Sequence, residues 1–293
     1  MPSSTIRNQA YGWLLLTPAA IFLIAFTHYP AIATLGQSFF SESTVIRPAE
    51  FVGLENYQIM LTDEVFWKVV RNNIWYAIGT IPASVALAMI MAIWVNGKLA
   101  GRGLVRMAYF TPTILPMIAV ANIWLFFYTP DIGLIDQFLS MFGFSGRNWL
   151  GNPETVLSCI IVMTIWKEAG FFMIFYLAAL QSISPELEEA ARIEGAGRWY
   201  YFRRVTFPLI MPTTLFVLIN AVINSFKLVD HLFILTKGGP DNASSLLLYY
   251  IYEVAFSFFD EAYAATLTVV LLVTLAIIAI GQFLLMDKRV HYR

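Results

Sequence analysis

Charged residues are scarce in this sequence. Only 13% of its 293 residues are Asp, Glu, Lys or Arg, whereas 59% are hydrophobic. Soluble globular domains carry about 25% charged residues, so this composition predicts an integral membrane protein. The formal net charge is -1. A chain without a basic excess is not expected to bind a polyanionic partner, so we predict no nucleic acid partner.

Cysteine, histidine and phosphate-binding motifs are also few or missing. Cys159 is the single cysteine, so an internal disulfide is excluded. The sequence has no G-x-x-x-x-G-K-[ST] phosphate loop, which excludes ATP hydrolysis by this chain alone. Its three histidines form no H-E-x-x-H motif. We therefore predict no catalytic residue, no metal site and no cofactor in this chain, and a membrane enzyme is the least favoured class.

Long apolar runs are what the sequence has instead. Six of them reach about 20 residues, the length that a helix needs to cross a bilayer. They lie at about 13–32, 74–95, 107–128, 155–177, 207–226 and 262–286. We predict an all-α membrane protein with six transmembrane helices in a single domain, 1–293.

The distribution of Lys and Arg predicts the orientation of these spans. One set of ends carries eleven of them: Arg7, Lys98, Arg102, Arg106, Arg192, Arg198, Arg203, Arg204, Lys288, Arg289 and Arg293. The opposite set carries six: Arg47, Lys68, Arg71, Arg147, Lys227 and Lys237. Positive residues accumulate in cytoplasmic connections. Both termini and the connection 184–208 are therefore predicted to be cytoplasmic.

The connection 184–208 is strongly charged and begins with the signals of a short helix. Ser184 is a good N-cap, and Pro185 suits the first helical position. Three glutamates follow in the first turns, where the helix dipole favours negative charge. The helix should end at Gly195, because glycine is the usual residue at a helix terminus. One face would present Leu187, Ala190, Ala191 and Glu194.

The amino-acid sequence of this connection resembles the EAA loop of ABC importer permeases. That family pattern is E-A-A, three residues, G, nine residues and I-x-L-P. Here Glu189-Ala190-Ala191, Gly195 and Val205-Thr206-Phe207-Pro208 keep both gaps. The departures, Val for Ile and Phe for Leu, keep apolar bulk. The resemblance implies a type I ABC importer permease fold in which this loop is a cytoplasmic coupling helix. The coupling residues would be Glu189, Ala190, Ala191, Gly195 and Pro208.

Membership of that family would imply a set of partners and a location. They are a second permease subunit, two ATP-binding subunits that hold ATP and Mg, and a periplasmic or extracellular solute-binding protein. The chain would lie among the lipids of a bacterial or archaeal plasma (inner) membrane. ATP-driven closure of the partner subunits would move the coupling helix and rock the spans by alternating access.

The solute class is indicated by further resemblances. The segments 236–240 (TKGGP), 250–256 (YIYEVAF) and Trp166-Lys167 with Gly170 resemble the carbohydrate branch of the permease family, nearest to maltose-type and glycerol-3-phosphate permeases. They imply that the solute is a sugar or a related polyol. The alternative, an ATP-independent secondary transporter or channel, would require matching broken helices in two halves. Pro112 and Pro116 break the third span, and no matching pair is found.

Polar residues within the spans are candidates for the solute path. Asn220, Asn224, Lys227 and His231 follow a helical spacing, with Thr213 one heptad earlier. Amide and aromatic groups suit sugar hydroxyls, so we predict a path at Asn220, Asn224, Lys227 and Trp166. Two other readings remain open. The asparagines could join helices to one another, and Lys227 and His231 could lie at the outer interface.

Lys167 and Glu168 fall near the middle of the fourth span. A charge facing lipid there costs several kcal/mol. Adjacent residues point about 100° apart on a helix. Each of the two therefore needs a partner on another helix or in a cavity, and we favour an architectural role over contact with the solute.

Overall fold

The structure, a computed structural model, describes residues 3–43, 48–97, 101–144 and 146–287, with side chains from residue 11 to residue 284. Five of the charges that predict the orientation lie outside the described residues: Arg47, Lys98, Lys288, Arg289 and Arg293.

The described chain is helical almost throughout. Its helices are α1 (Ser3–Leu23), α2 (Tyr29–Gln37), α3 (Glu55–Thr62), α4 (Glu64–Asn96), α5 (Arg102–Ile114), α6 (Met117–Phe127), α7 (Leu134–Ser140), α8 (Val156–Gln181), α9 (Pro185–Ile193), α10 (Arg198–Tyr201), α11 (Phe207–Leu209), α12 (Met211–Lys227), α13 (Asp230–Leu235), α14 (Leu247–Phe256) and α15 (Glu261–Asp287). Two π-helical turns, Ile24–His28 and Phe202–Thr206, join α1 to α2 and α10 to α11. The described residues contain no strand beyond one antiparallel bridge between Phe40 and Phe51.

Among the residues that the structure describes, five helical stretches are long and apolar enough to cross a bilayer. They are Tyr11–Gln37, Glu64–Asn96, Val156–Gln181, Met211–Leu235 and Glu261–Leu284. α5 and α6 together are also long and apolar enough to cross a bilayer, and the bend between the two helices is 101°. The prediction of an all-α membrane protein with six spans is confirmed when this bent pair counts as one span.

The helices differ from the predicted apolar runs mainly at their ends. α4 begins at Glu64 rather than at residue 74, because polar residues in its first turns lower the hydropathy without interrupting the helix. The fifth span begins at Met211 rather than at residue 207 and reaches Leu235. Ile210 leaves the helical conformation there, and Pro212 opens the first turn of α12, a position that tolerates proline well.

The chain divides into two compact units. The first contains the residues up to Asp63 together with Ile251–Val273. Within it, the amide of Asn56 donates to the carbonyls of Ser38 at 3.0 Å and Phe40 at 2.9 Å. These bonds hold the turn after α2 against α3. No residue of the stretch Tyr11–Gln37 is buried.

The second unit contains Glu64–Tyr250 together with the residues from Thr274 onward. Its centre is α8, on which more than half of the span is buried. Tyr76 on α4 and Phe172, Met163 and Tyr176 on α8 are among the largest fully buried side chains. α8 also lies so close to α5 that a Cβ at Gly170 would collide with the backbone oxygen of Tyr109. Small residues permit such close approach of membrane helices.

A buried carboxylate organises the connection between α6 and α8. Asp136 accepts hydrogen bonds from the Asp131 amide at 2.9 Å, the Arg147 amide at 3.2 Å and the Trp149 indole at 2.7 Å. Burial alone would raise the pKa of Asp136, but these three bonds favour the ionised form and hold its pKa below the usual value. The carboxylate therefore joins both ends of this connection at neutral pH.

Candidate functional site

The helix predicted in the 184–208 connection is present as α9. The Ser184 hydroxyl accepts a hydrogen bond from the Glu186 amide at 3.3 Å, and Pro185 occupies the first turn. Glu188 and Arg192 form an ion pair of 2.6 Å one turn apart. Acidic residues thus lie at the amino end and Arg192 at the carboxyl end, as the helix dipole favours.

The end of α9 is closed by a glycine-dependent motif. Gly195 has a φ of +74°, a conformation that strains residues with a Cβ. Its amide donates to the Arg192 carbonyl at 3.0 Å, and the Ala196 amide reaches the Ala191 carbonyl at 2.9 Å. This pair of bonds is the Schellman pattern, with glycine at the position just after the cap. Gly195 thus determines where the helix stops and how the chain turns away from it.

The surface of α9 is open. None of its residues is buried, and Ile193 is 88% exposed. Glu189, Ala190 and Gly195 are exposed as well, whereas Ala191 is half-buried. The next helical segment adds Trp199 at 73% exposure. Small and apolar residues on a short capped helix form a shallow surface that another protein can approach closely. Pro208 lies in α11 beyond the π-helical turn and is also exposed.

The predicted polar stripe on the fifth span is interrupted. α12 ends at Lys227 and α13 begins at Asp230, so the helical periodicity does not extend to His231. His231 is fully buried and its ring stacks on Tyr76, with 6.2 Å between the ring centroids. Lys227 is exposed, although it falls within the apolar stretch Met211–Leu235. The prediction that His231 shares one face with Asn220 is wrong, because the helix breaks between them.

The two asparagines have different surroundings. Asn220 is half-buried, and its amide donates to the Phe216 carbonyl of its own helix at 2.8 Å. The amide of Asn224 donates to the carboxylate of Glu168 on α8 at 2.7 Å. Asn224 therefore joins two helices, whereas the side chain of Asn220 forms no hydrogen bond with another helix among the residues that the structure describes. Trp166, the aromatic candidate, is 40% exposed and its ring lies edge-on to Trp124 at 5.8 Å.

A narrow polar cavity surrounds the Glu168–Asn224 pair. Its volume is about 10 Å³, which is room for roughly one water molecule. Hydroxyl groups line it from three helices: Thr80, Ser84, Thr164 and Ser225. Next to it, the hydroxyls of Tyr76 and Thr164 are bonded at 2.9 Å. The polar groups provide partners for a carboxylate inside the spans. The cavity is too small in this conformation to hold a sugar.

Lys167 supports the bend in the third span. Pro116 has no amide hydrogen to donate to the Pro112 carbonyl one turn before it. The ammonium of Lys167 donates to that carbonyl at 3.3 Å and to the Leu115 carbonyl at 2.8 Å. A cation at the carboxyl end of α5 also complements its dipole. The prediction that Lys167 and Glu168 each need a partner on another helix or in a cavity is confirmed by these bonds and by the bond from Asn224 to Glu168.

Two residues outside the predicted site organise the opposite end of the unit. The amide of Asn72 donates to the carbonyls of Asn242 at 2.8 Å and Ser245 at 3.1 Å. Asn73 accepts from the Leu247 amide at 2.8 Å. The pair thus fastens the 236–247 connection to α4. An Asn-Asn pair directly before the apolar run 74–95 is the available signal in the sequence, but its partners lie far away along the chain.

Comparisons with known proteins agree with this architecture. Residues 84–292 match the family described as binding-protein-dependent transport system inner membrane component. The sulfoquinovosyl glycerol transport system permease protein SmoG of Agrobacterium fabrum is 32% identical over 267 residues, which are 91% of this chain and 87% of that protein. The lactose transport system permease protein LacF of Rhizobium radiobacter is 32% identical over 278 residues, covering 93% and 92%.

A solved structure has the same fold. It is a chain of a bacterial ABC transporter involved in the import of the acidic polysaccharide alginate, with a TM-score of 0.86. That comparison covers 97% of this chain and 98% of the other at 23% sequence identity. The predicted permease fold is therefore confirmed over nearly the whole chain.

Proposed function

The chain belongs to the family of binding-protein-dependent transport system inner membrane components, the permease subunits of ABC importers, and on that premise we propose that its solute is a carbohydrate or related polyol. The family places the ATPase in separate subunits, in agreement with the missing phosphate loop. Relatives named for sulfoquinovosyl glycerol and for lactose support the solute class. The hydrogen-bond donors and acceptors along the solute path would distinguish one polyhydroxylated solute from another.

The observation that carries the coupling of transport to a separate ATPase is the open surface of α9. α9 has nine residues, both of its ends are capped and none of its residues is buried. The helix is therefore preorganised without a partner, and it loses little conformational freedom when another protein binds it. Its sequence resembles the coupling motif, and it lies within the matched residues 84–292. We assign α9 to docking on an ATP-binding subunit, with Glu189, Ala190, Ala191, Gly195 and Pro208 as the coupling residues.

The remaining partners follow from the same premise. They are a second permease subunit, two ATP-binding subunits that bind ATP and Mg, and a solute-binding protein outside the inner membrane. Both termini and α9 face the cytoplasm, where ATP is available, and the excess of Lys and Arg at those ends supports this orientation. Binding of ATP closes the partner subunits, α9 moves with them, and the spans rock between inward-open and outward-open states.

The solute path is assigned to the polar face of α12 and its neighbourhood. Asn220 and Lys227 are not held by another helix among the described residues, which leaves their polar groups available to a solute. Asn224 and Trp166 flank them but already have partners, Glu168 and Trp124. A sugar-sized site would then require a second permease subunit or another conformation, since the cavity at Asn224 accommodates about one water molecule.

Two substitutions on α9 test the docking assignment. Glu189→Lys reverses the charge of an exposed residue, and Gly195→Asp places a side chain at a φ of +74°, so both alter the docking surface and leave the spans unchanged. We expect the complex to insert while solute-stimulated ATPase activity and uptake fall at least about fivefold, because coupling free energies between sites are typically about 1–3 kcal/mol. Glu64→Lys, an exposed first-turn substitution at the far end of α4, serves as the control. Normal uptake by both α9 variants in the assembled complex would refute the docking assignment.

A further inference from the structure

A groove of about 530 Å³ lies between α4 and α8. It is at the end of the second unit away from α9, because α8 begins there and runs toward Ser184. Residues at helical spacing form its two walls, with Trp75 and Ile78 on α4 and Leu157 and Ile161 on α8. A third wall is the 241–243 segment, which Asn72 holds in place through its bond to the Asn242 carbonyl. The groove is therefore built by fixed elements.

The groove changes polarity along its length. Its mouth carries Lys68, Arg71 and Glu154, whereas its inner end is apolar and closes where Gly79 meets Ile161. From Lys68 to Gly79 the α4 axis advances about 16 Å, at roughly 1.5 Å per residue. That length is about half of the hydrocarbon thickness of a bilayer. A charged mouth at the membrane surface and an apolar inner end at that depth match the two parts of a lipid molecule.

The charges at the mouth define the headgroup. Lys68 is bonded to Asp241 at 2.9 Å, so that cation is already partly neutralised. Arg71 and Glu154 are exposed, and neither side chain forms a hydrogen bond or an ion pair with any residue that the structure describes. The mouth therefore offers a guanidinium, which suits phosphate oxygens, and a carboxylate, which suits an ammonium group.

We propose that this groove binds a phospholipid whose headgroup carries both a phosphate and a primary amine. The phosphate lies at Arg71, the ammonium group at Glu154, and one acyl chain runs along Trp75 and Ile78 toward Gly79. Trp75 is 59% exposed, and tryptophan is enriched at membrane interfaces. An acyl chain gains little by leaving lipid for an apolar wall, so the headgroup contacts give the selectivity and the wall aligns the chain. This site goes beyond the proposed transport function and does not depend on it.

Photocrosslinking of the purified complex in nanodiscs tests the proposal. Three lipids with the same diazirine-bearing acyl chain are compared: phosphatidylethanolamine, phosphatidylcholine and phosphatidylglycerol. We expect phosphatidylethanolamine to label peptides containing 68–79 and 153–161 more strongly than the other two. Arg71→Gln should lower this labelling about fivefold, which is the change in binding expected when one cation near a lipid phosphate is lost. Glu154→Gln should remove the preference over phosphatidylglycerol without lowering phosphatidylglycerol labelling.

Three controls make the outcome decisive. Arg147→Gln removes another exposed arginine outside the groove and should leave labelling unchanged. Ser158→Trp fills the groove and should abolish labelling by all three lipids, while size-exclusion profiles verify that each variant is assembled. Excess soluble glycerophosphoethanolamine should not compete, and full competition would identify a free phosphate ester as the ligand instead. Equal labelling by the three lipids, no effect of Arg71→Gln, or crosslinks from an Ile78→Cys variant to a partner subunit would each overturn the proposal.

Discussion

The close approach of α5 and α8 predicts that Gly170→Ala destabilises the protein. A Cβ at position 170 would collide with the backbone oxygen of Tyr109 and would lie 3.1 Å from the Thr113 hydroxyl. The backbone oxygen cannot rotate away as a flexible side chain could, so α5 as a whole must shift. That shift would also disturb the Lys167 bonds to the carbonyls of Pro112 and Leu115.

The magnitude of this destabilisation is set by one favourable and two unfavourable terms. Replacing glycine by alanine inside a helix gains about 1 kcal/mol from backbone entropy. Forcing an extra methyl group into a packed contact costs about 1–3 kcal/mol, and weakening charge-assisted bonds to two carbonyls adds about 1–2 kcal/mol. The net loss is about 1–4 kcal/mol. For a chain of this size, that corresponds to a midpoint lower by roughly 2–15 °C.

Gly281→Ala is the matched control. Gly281 also lies inside a long helix, α15, but nothing approaches the position of its Cβ within 4 Å. The same substitution there should leave the midpoint unchanged or raise it, because only the helix-propensity term applies. The measurement is the fraction of purified complex that remains monodisperse on size exclusion after heating. If Gly170→Ala raised the midpoint as much as Gly281→Ala does, the α5–α8 contact would not be as close as described.

The remaining predictions concern the solute path and the orientation. Asn220→Leu should raise the solute concentration for half-maximal ATPase stimulation roughly 5- to 150-fold, because each unpaired solute hydroxyl loses about 1–3 kcal/mol. Asn224→Leu should in addition lower thermal stability, since it leaves the carboxylate of Glu168 without its amide donor. Unchanged apparent affinity in both variants would remove α12 from the path. In a chain without its native cysteine, Gly197→Cys should resist an impermeant thiol reagent in intact cells, whereas Asn242→Cys should react. Labelling of position 197 from outside would reverse the orientation.

Much of the fold could be predicted because the signals are local. A run of about 20 apolar residues has few stable alternatives to a helix in a bilayer, since lipid cannot satisfy exposed backbone groups. The signals from Ser184 to Gly195 predict the helix α9 because capping acts within one turn of each helix end. The bend in the third span followed from Pro112 and Pro116 for the same reason. The docking role of α9 and the solute path remain predictions.

The polar partners required the tertiary structure. Helical periodicity places Asn220, Asn224 and His231 on one face, but it assumes a continuous helix, and the break after Lys227 rotates His231 into a buried position. Likewise, the sequence shows that Lys167 needs a partner without showing which one.

By itself, the sequence determined the helical class, the spans and the capped helix α9, because apolar length, helix propensity and capping depend on residues within a few positions of each other. Only the tertiary structure decided that Lys167 supports the bend in the third span, that Asn224 pairs with Glu168 and that α4 and α8 enclose a groove with a charged mouth. Each of these depends on the distance between helices that lie tens of residues apart in the chain. Such distances are set by side-chain packing across the whole unit rather than by any local pattern.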